Sequence, residues 1–138
     1  MRRLLVGLGL GWGLLSGCAP RATRGGDEGT QPRSSPKGYL EEGIASYYAE
    51  HFIGRSTASG EKLDATKLTA AHPSLPFGTC LRVVNMENRR SVQVRVNDRG
   101  PFKAGRVVDV SLAAARKLEL VGKGLARVRL YRCAPGSG

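Results

Sequence analysis

Thr79-Cys80-Leu81-Arg82-Val83-Val84-Asn85-Met86-Glu87-Asn88-Arg89-Arg90-Ser91-Val92-Gln93-Val94-Arg95-Val96 decides the fold class. Its outer arms, 79–84 and 91–96, alternate apolar and polar side chains, and 85–90 supplies turn residues between them. Alternation with period two sends successive side chains to opposite faces of a strand. In the second arm Val92, Val94 and Val96 share one face, while Gln93 and Arg95 share the other. The stretch therefore reads as a β-hairpin with one face turned to a core.

The same pattern recurs on both sides of the hairpin. Ile44 to Tyr48 reads as a first strand and Arg106 to Val110 as a later one. From Ala126 to Arg132, Val128 and Leu130 face one way, with Arg127 and Arg129 facing the other. Ser111 is placed to cap a short helix, Leu112 to Leu118, built from good helix formers. The expectation is an all-β domain over residues 43–133, a compact barrel with one or two short helices, followed by a tail at 134–138. A domain this small gains from a covalent staple.

The first residues belong to something else. Met1-Arg2-Arg3 is a positive start, Leu4 to Leu15 is an uncharged apolar run, and Leu15-Ser16-Gly17-Cys18 closes it with small residues before a cysteine. The apolar run is shorter than the roughly 20 residues that span a bilayer. The segment resembles the signal peptide and lipobox of bacterial lipoproteins, with residues 1–17 removed and lipid attached to Cys18; the alternative is an ordinary secretory signal with an incidental cysteine. Ala19 follows Cys18 where an Asp would suggest inner-membrane retention, so by resemblance to Gram-negative sorting the periplasmic face of the outer membrane is expected. Residues 18–42 are rich in Pro, Arg, Gly, Ser and Thr and read as a flexible basic linker.

Export bears on the two remaining cysteines. In an oxidising compartment Cys80 and Cys133 pair as a disulfide, or else stay as buried thiols that act as small hydrophobes; export favours the pair. The formal charge of +11 calls for anionic partners. An exported chain has little access to nucleic acid, which leaves lipid headgroups and cell-wall carboxylates, or a generally cationic solvated surface.

Four side chains outside the expected strands carry possible chemistry: Glu61, Asp64, His72 and Asp98. Asp98 directly follows a strand and precedes Arg99-Gly100-Pro101, so it is both rigidly placed and accessible, as a general acid must be. Acids grouped near a histidine can keep one carboxyl protonated near neutral pH. Each residue also has a structural alternative: an Asx turn for Asp98, a solvated loop charge for Glu61, a cap for Asp64 and a hydrogen-bonding core role for His72. The two histidines, His51 and His72, have no metal-ligand spacing, and neither a nucleophile elbow nor a phosphate loop is present, so no metal or cofactor is expected. Tyr47, Tyr48 and Phe52 offer faces for sugar stacking, or belong to the core.

Six motifs in order, Gly43-Ile44-Ala45-Ser46-Tyr47-Tyr48, Gly54-Arg55-Ser56-Thr57-Ala58-Ser59-Gly60-Glu61, Leu68-Thr69-Ala70-Ala71-His72, Leu75-Pro76-Phe77-Gly78-Thr79, Val94 through Phe102 and Gly105 through Ser111, strongly resemble the rare lipoprotein A family. The resemblance implies a six-stranded double-psi β-barrel related to expansins. It also implies lytic cleavage between N-acetylmuramic acid and N-acetylglucosamine in peptidoglycan, on glycan strands stripped of stem peptides, to give 1,6-anhydro products. Under it Asp98 takes the place of the general acid and base, with His72, Glu61 and Asp64 at the other polar positions of the cleft. The alternative is an expansin-like wall-binding or wall-loosening lipoprotein without turnover. Partners expected are the glycan strands and a membrane reached through lipid on Cys18, with division or envelope proteins unidentified and the chain a monomer. Some family members carry a C-terminal SPOR module that binds denuded glycan; none is seen here, so the sequence offers no carrier for septal targeting. Cys80 and Cys133 fall outside the matched motifs, so the family is silent on their pairing.

Overall fold

The computed structural model describes residues 38–136; the expected signal peptide, Cys18 and the linker as far as residue 37 lie outside the described residues. Six strands, β1 (Glu41–Tyr47), β2 (Thr69–Ala71), β3 (Cys80–Asn85), β4 (Ser91–Asp98), β5 (Arg106–Val110) and β6 (Ala126–Arg132), close into a barrel in the order β1-β5-β2-β4-β3-β6. One helix, α1 (Leu112–Lys117), and a single 3₁₀ turn at Glu50–Phe52 complete it. β3 pairs antiparallel with β4 and β6, and β1 antiparallel with β6. The remaining contacts interlock the two halves: β1 lies parallel to β5 and β2 parallel to β4, while β2 runs antiparallel to β5. This is the double-psi β-barrel that the resemblance implied.

Alternation builds the core. Along β4 the valines at 92, 94 and 96 point inward and Gln93 and Arg95 outward; along β6 Val128 and Leu130 point inward. Leu81, Val83, Val108 and Val110 fill the space between them and are fully buried. α1 adds Ala114 and Ala115 to the same core, with Leu118 just beyond it. Its cap is Ser111, whose hydroxyl accepts from the Ala114 amide at 3.4 Å and donates to the Lys67 carbonyl at 2.6 Å. A disulfide joins Cys80 at the start of β3 to Cys133 just past β6, with the Cα atoms 5.5 Å apart.

Two boundaries differ from the sequence expectation. β1 begins at Glu41, so Glu41 and Glu42 belong to the barrel rather than to a linker ending at residue 42. Their charge hides them, because the polar side of this strand is matched by β6. Glu42 bonds Arg127 at 2.7 Å and Arg129 at 2.9 Å. The Arg129 hydrogen bond, then that of Arg127, hold its carboxyl down to about 2. Strand β2 was not anticipated at all: it lies between β4 and β5, and its three residues are buried on both faces, so they show no alternation.

Gly43 marks the tightest backbone approach in the barrel. A Cβ there would lie 2.5 Å from Val107 Cγ1 and 3.0 Å from the Gly105 carbonyl oxygen. The backbone cannot yield easily, since Ile44 N–H donates to that same carbonyl at 2.9 Å. Gly43→Ala is expected to lower stability by about 1–3 kcal/mol through overpacking, measured as a lower midpoint of urea unfolding at unchanged slope.

Candidate active site

The cleft forms where the ends of β1 and β4 meet the loop at 52–63. It has a volume of about 270 Å³ and is lined by Tyr48, Phe52, Arg55, Ser56, Thr57, Leu63 and Asp98. Asp98 is the last residue of β4. Its backbone is fixed by β2, with Ala71 as register partner and the His72 N–H donating to its carbonyl at 3.1 Å. Its side chain is fixed as well. Oδ1 accepts from the amides of Ala58 and Arg99, both at 2.8 Å, and Oδ2 accepts from the Tyr48 hydroxyl at 2.5 Å.

Tyr48 has a role that sequence reasoning missed. It read as a stacking face or a core residue, yet its hydroxyl is the polar group nearest the candidate acid. Burial, followed by the hydrogen bond and charge of Asp98 and the more distant charge of Asp109, pushes its phenol far above the ordinary tyrosine range. The phenol therefore stays protonated and remains a donor at any working pH. Phe52 sits edge-on to Tyr48 with ring centroids 6.2 Å apart and is partly exposed in the cleft. Tyr47, by contrast, packs against the core and does not line the cleft.

The other expected residues surround Asp98 without joining it in the cleft. Glu61 makes a two-pronged pair with Arg95, both bonds 2.8 Å. That pair, above all its hydrogen bonds, holds the Glu61 carboxyl below its ordinary range. Asp64 turns back on its own loop, its Oδ1 accepting from the Thr66 amide at 2.8 Å and hydroxyl at 2.7 Å, and the hydroxyl bond foremost lowers its carboxyl too. Both stay ionised, so neither is a proton donor near neutral pH. His72 is buried, and its Nδ1 accepts from the Ser74 and Leu75 amides, each at 3.1 Å. Nε2 must then carry the ring proton, which it donates to Glu41 at 2.9 Å.

Glu61 and His72 bear on Asp98 through the backbone. The loop at 57–61 is closed by the Thr57 hydroxyl on the Glu61 carbonyl at 2.6 Å and docks by Ser59 N–H on the Asn97 carbonyl at 3.2 Å. The Glu61–Arg95 pair ties that loop to β4 and so holds the Ala58 amide against Asp98. On the other side His72 closes the turn at 72–75. Arg99 donates to the carbonyls of His72 at 3.3 Å and Leu75 at 2.7 Å, with its guanidinium 4.0 Å from the Phe77 ring centroid. The amide of Arg99 is thereby fixed on Asp98.

Fold and site together define a double-psi barrel whose cleft presents a single, rigidly held carboxylate. A family model described as a lytic transglycolase matches residues 40–130. The chain belongs to this family, rare lipoprotein A. It is 52% identical over 98 residues to the probable endolytic peptidoglycan transglycosylase RlpA of Treponema pallidum (strain Nichols), covering 71% of this chain and 31% of that one. Against the endolytic peptidoglycan transglycosylase RlpA of Pasteurella multocida (strain Pm70) the identity is 48% over 101 residues, 73% of this chain and 34% of that one. The chain thus spans about a third of the length of these relatives. Among solved structures, a Clavibacter michiganensis expansin in its apo form superposes with a TM-score of 0.54 at 22% identity, covering 70% of this chain and 52% of that one. The Streptomyces papain inhibitor gives 0.52 at 24%, covering 68% and 97%. Both share the fold.

Proposed function

We propose that this chain is a lytic transglycosylase that cleaves the N-acetylmuramic acid–N-acetylglucosamine bond of peptidoglycan to leave 1,6-anhydro ends. The observation that carries this reading is the lone carboxylate of the cleft: Asp98 lines it, while Glu61 and Asp64 are spent on Arg95 and Thr66. Glycoside hydrolases use two carboxylates because one must activate water or attack the sugar. An intramolecular transfer needs one. Asp98 in its acid form donates its proton to the glycosidic oxygen as the bond breaks and positive charge develops at the anomeric carbon. The resulting carboxylate takes the proton of the muramic acid C6 hydroxyl as that oxygen closes on the anomeric carbon. Asp98 ends protonated, and no water is consumed. Tyr48 steadies Oδ2 through both stages by donating to it whenever it is ionised, and Phe52 supports a sugar face. Glu61 and His72 are positioning residues for the two amides that hold Oδ1.

Glycan without stem peptides is the proposed substrate form. The proposed setting is the cell envelope, with the domain held by lipid on Cys18 to the periplasmic face of the outer membrane; the basic start, apolar run and Leu15-Ser16-Gly17-Cys18 support it. The reading is tested by incubating the protein with intact and amidase-stripped peptidoglycan and analysing the products by mass spectrometry. Anhydro-muramic ends are expected, in greater yield from stripped glycan. Binding without anhydro ends from either substrate would leave a wall-binding module in its place.

A further inference from the structure

The cleft contains a cation that this chemistry does not use. Arg55 lines it beside Phe52 and Asp98. Its backbone is pinned, N–H to the Phe52 carbonyl at 3.0 Å and carbonyl to the Leu63 N–H at 2.8 Å. Its guanidinium lies 5.3 Å from the Phe52 ring centroid. Three other arginines of the barrel are already matched to oxygen: Arg95 to Glu61, Arg106 to Asp109 and Arg99 to two carbonyls. Among the described residues the Arg55 guanidinium meets no carboxylate and no carbonyl, only the ring.

An unmatched guanidinium facing a binding cleft calls for an anion on the ligand. The peptidoglycan glycan is neutral along its backbone except at the lactyl ether of each muramic acid. With a stem peptide attached, that carboxyl is an amide, uncharged and bulky. With the peptide removed, it is a carboxylate. We infer that Arg55 is the specificity-determining residue of the cleft, pairing with the lactyl carboxylate of peptide-free muramic acid. The inference rests on the glycan reading given above and supplies a physical basis for the preferred substrate form. The Phe52 ring lies against the guanidinium without taking any of its N–H donors in a hydrogen bond to oxygen.

Three substrates separate the lactyl carboxylate from other carboxylates. Intact peptidoglycan carries only stem-peptide carboxylates, amidase-stripped glycan carries the lactyl carboxylate, and stripped glycan coupled to methylamine carries neither. The protein is expected to prefer the stripped form over the other two. Arg55→Gln should lower kcat/KM on stripped glycan about tenfold, chiefly through KM, as expected for one charge-assisted pair, and so bring it to the level of the methylamide. Arg55→Lys should recover part of the preference. Equal losses on all three substrates, or an unchanged stripped-to-methylamide ratio in Arg55→Gln, would overturn the inference. Binding of soluble fragments of the stripped and methylamide glycans, measured by calorimetry, gives the same comparison without turnover. A wild-type chain that binds both alike would also overturn it, whether or not anhydro products form.

Discussion

Asp98→Asn is expected to cut the rate of anhydro-product formation by about a thousandfold, within the usual range for loss of a general acid–base group. The substitution is nearly isosteric. The side-chain carbonyl can still accept from the Ala58 and Arg99 amides, and the Tyr48 hydroxyl can rotate to accept from the new NH₂. Stability should therefore change by less than about 2 kcal/mol, so a lost rate reports chemistry and not unfolding. Asp98→Glu makes a sharper control. It keeps the carboxyl but pushes it one methylene further into the cleft, and a displacement of about 1 Å can cost about a hundredfold. Rates are read from anhydro ends released from stripped glycan per unit time. Retention of more than a tenth of the wild-type rate in Asp98→Asn would remove Asp98 from the centre of the mechanism.

The second large effect concerns stability. The Cys80–Cys133 bridge closes a segment of 53 residues. Removing it frees the unfolded chain by about 4 kcal/mol of loop-closure entropy, a sizeable share of the roughly 5–15 kcal/mol typical of a small domain. The bridge clamps the far end of the β3–β6 ladder, one step beyond the Leu81–Arg132 pair, where the backbone bond from Cys133 N–H to the Cys80 carbonyl is long at 3.4 Å. The double variant Cys80→Ala, Cys133→Ala, and the wild-type chain under reductant, should both unfold at markedly lower urea concentration than the oxidised protein. Coincident unfolding curves for oxidised and reduced protein would show that the bridge contributes nothing.

Much of the barrel was legible because alternation survives wherever a strand has one wet face. The hairpin of β3 and β4, and strands β5 and β6, fall where the sequence pattern places them, and Ser111 caps the helix that follows. β2 was illegible for the opposite reason: Thr69-Ala70-Ala71 is buried on every side, so period two has nothing to contrast. At the site, Asp98 could be picked out because a turn motif fixes it at a strand end. The partners of its carboxylate could not. Two of the three are donors set by tertiary contact, the amide of Ala58 and the hydroxyl of Tyr48, neither with a local signature. Glu61, Asp64 and His72 were noticed for their chemistry, but the sequence does not show that Arg95, Thr66 and Glu41 occupy them. Arg55 could be recognised only once the fold placed it in the cleft beside Phe52 with no carboxylate or carbonyl for a partner among the described residues.

The place of β2 between β4 and β5 also bears on timing. Both of its neighbours are made after it, so Thr69–Ala71 has no strand to bond until Asp98 is available and gains its second neighbour only with Val110. The His72 N–H that locks Asp98 extends from that strand and likewise waits for Asp98. The β3–β4 hairpin closes over a short turn and can form early, whereas the pairing of β2 with β5 must close a much longer stretch of chain. On the proposed export route, a chain threaded through a membrane with its amino end first would carry Tyr48 and Ala58 across before the carboxylate they hold. The barrel closes only when β5 and β6 have followed, so under the proposed function strand order alone would keep the cleft incomplete in transit.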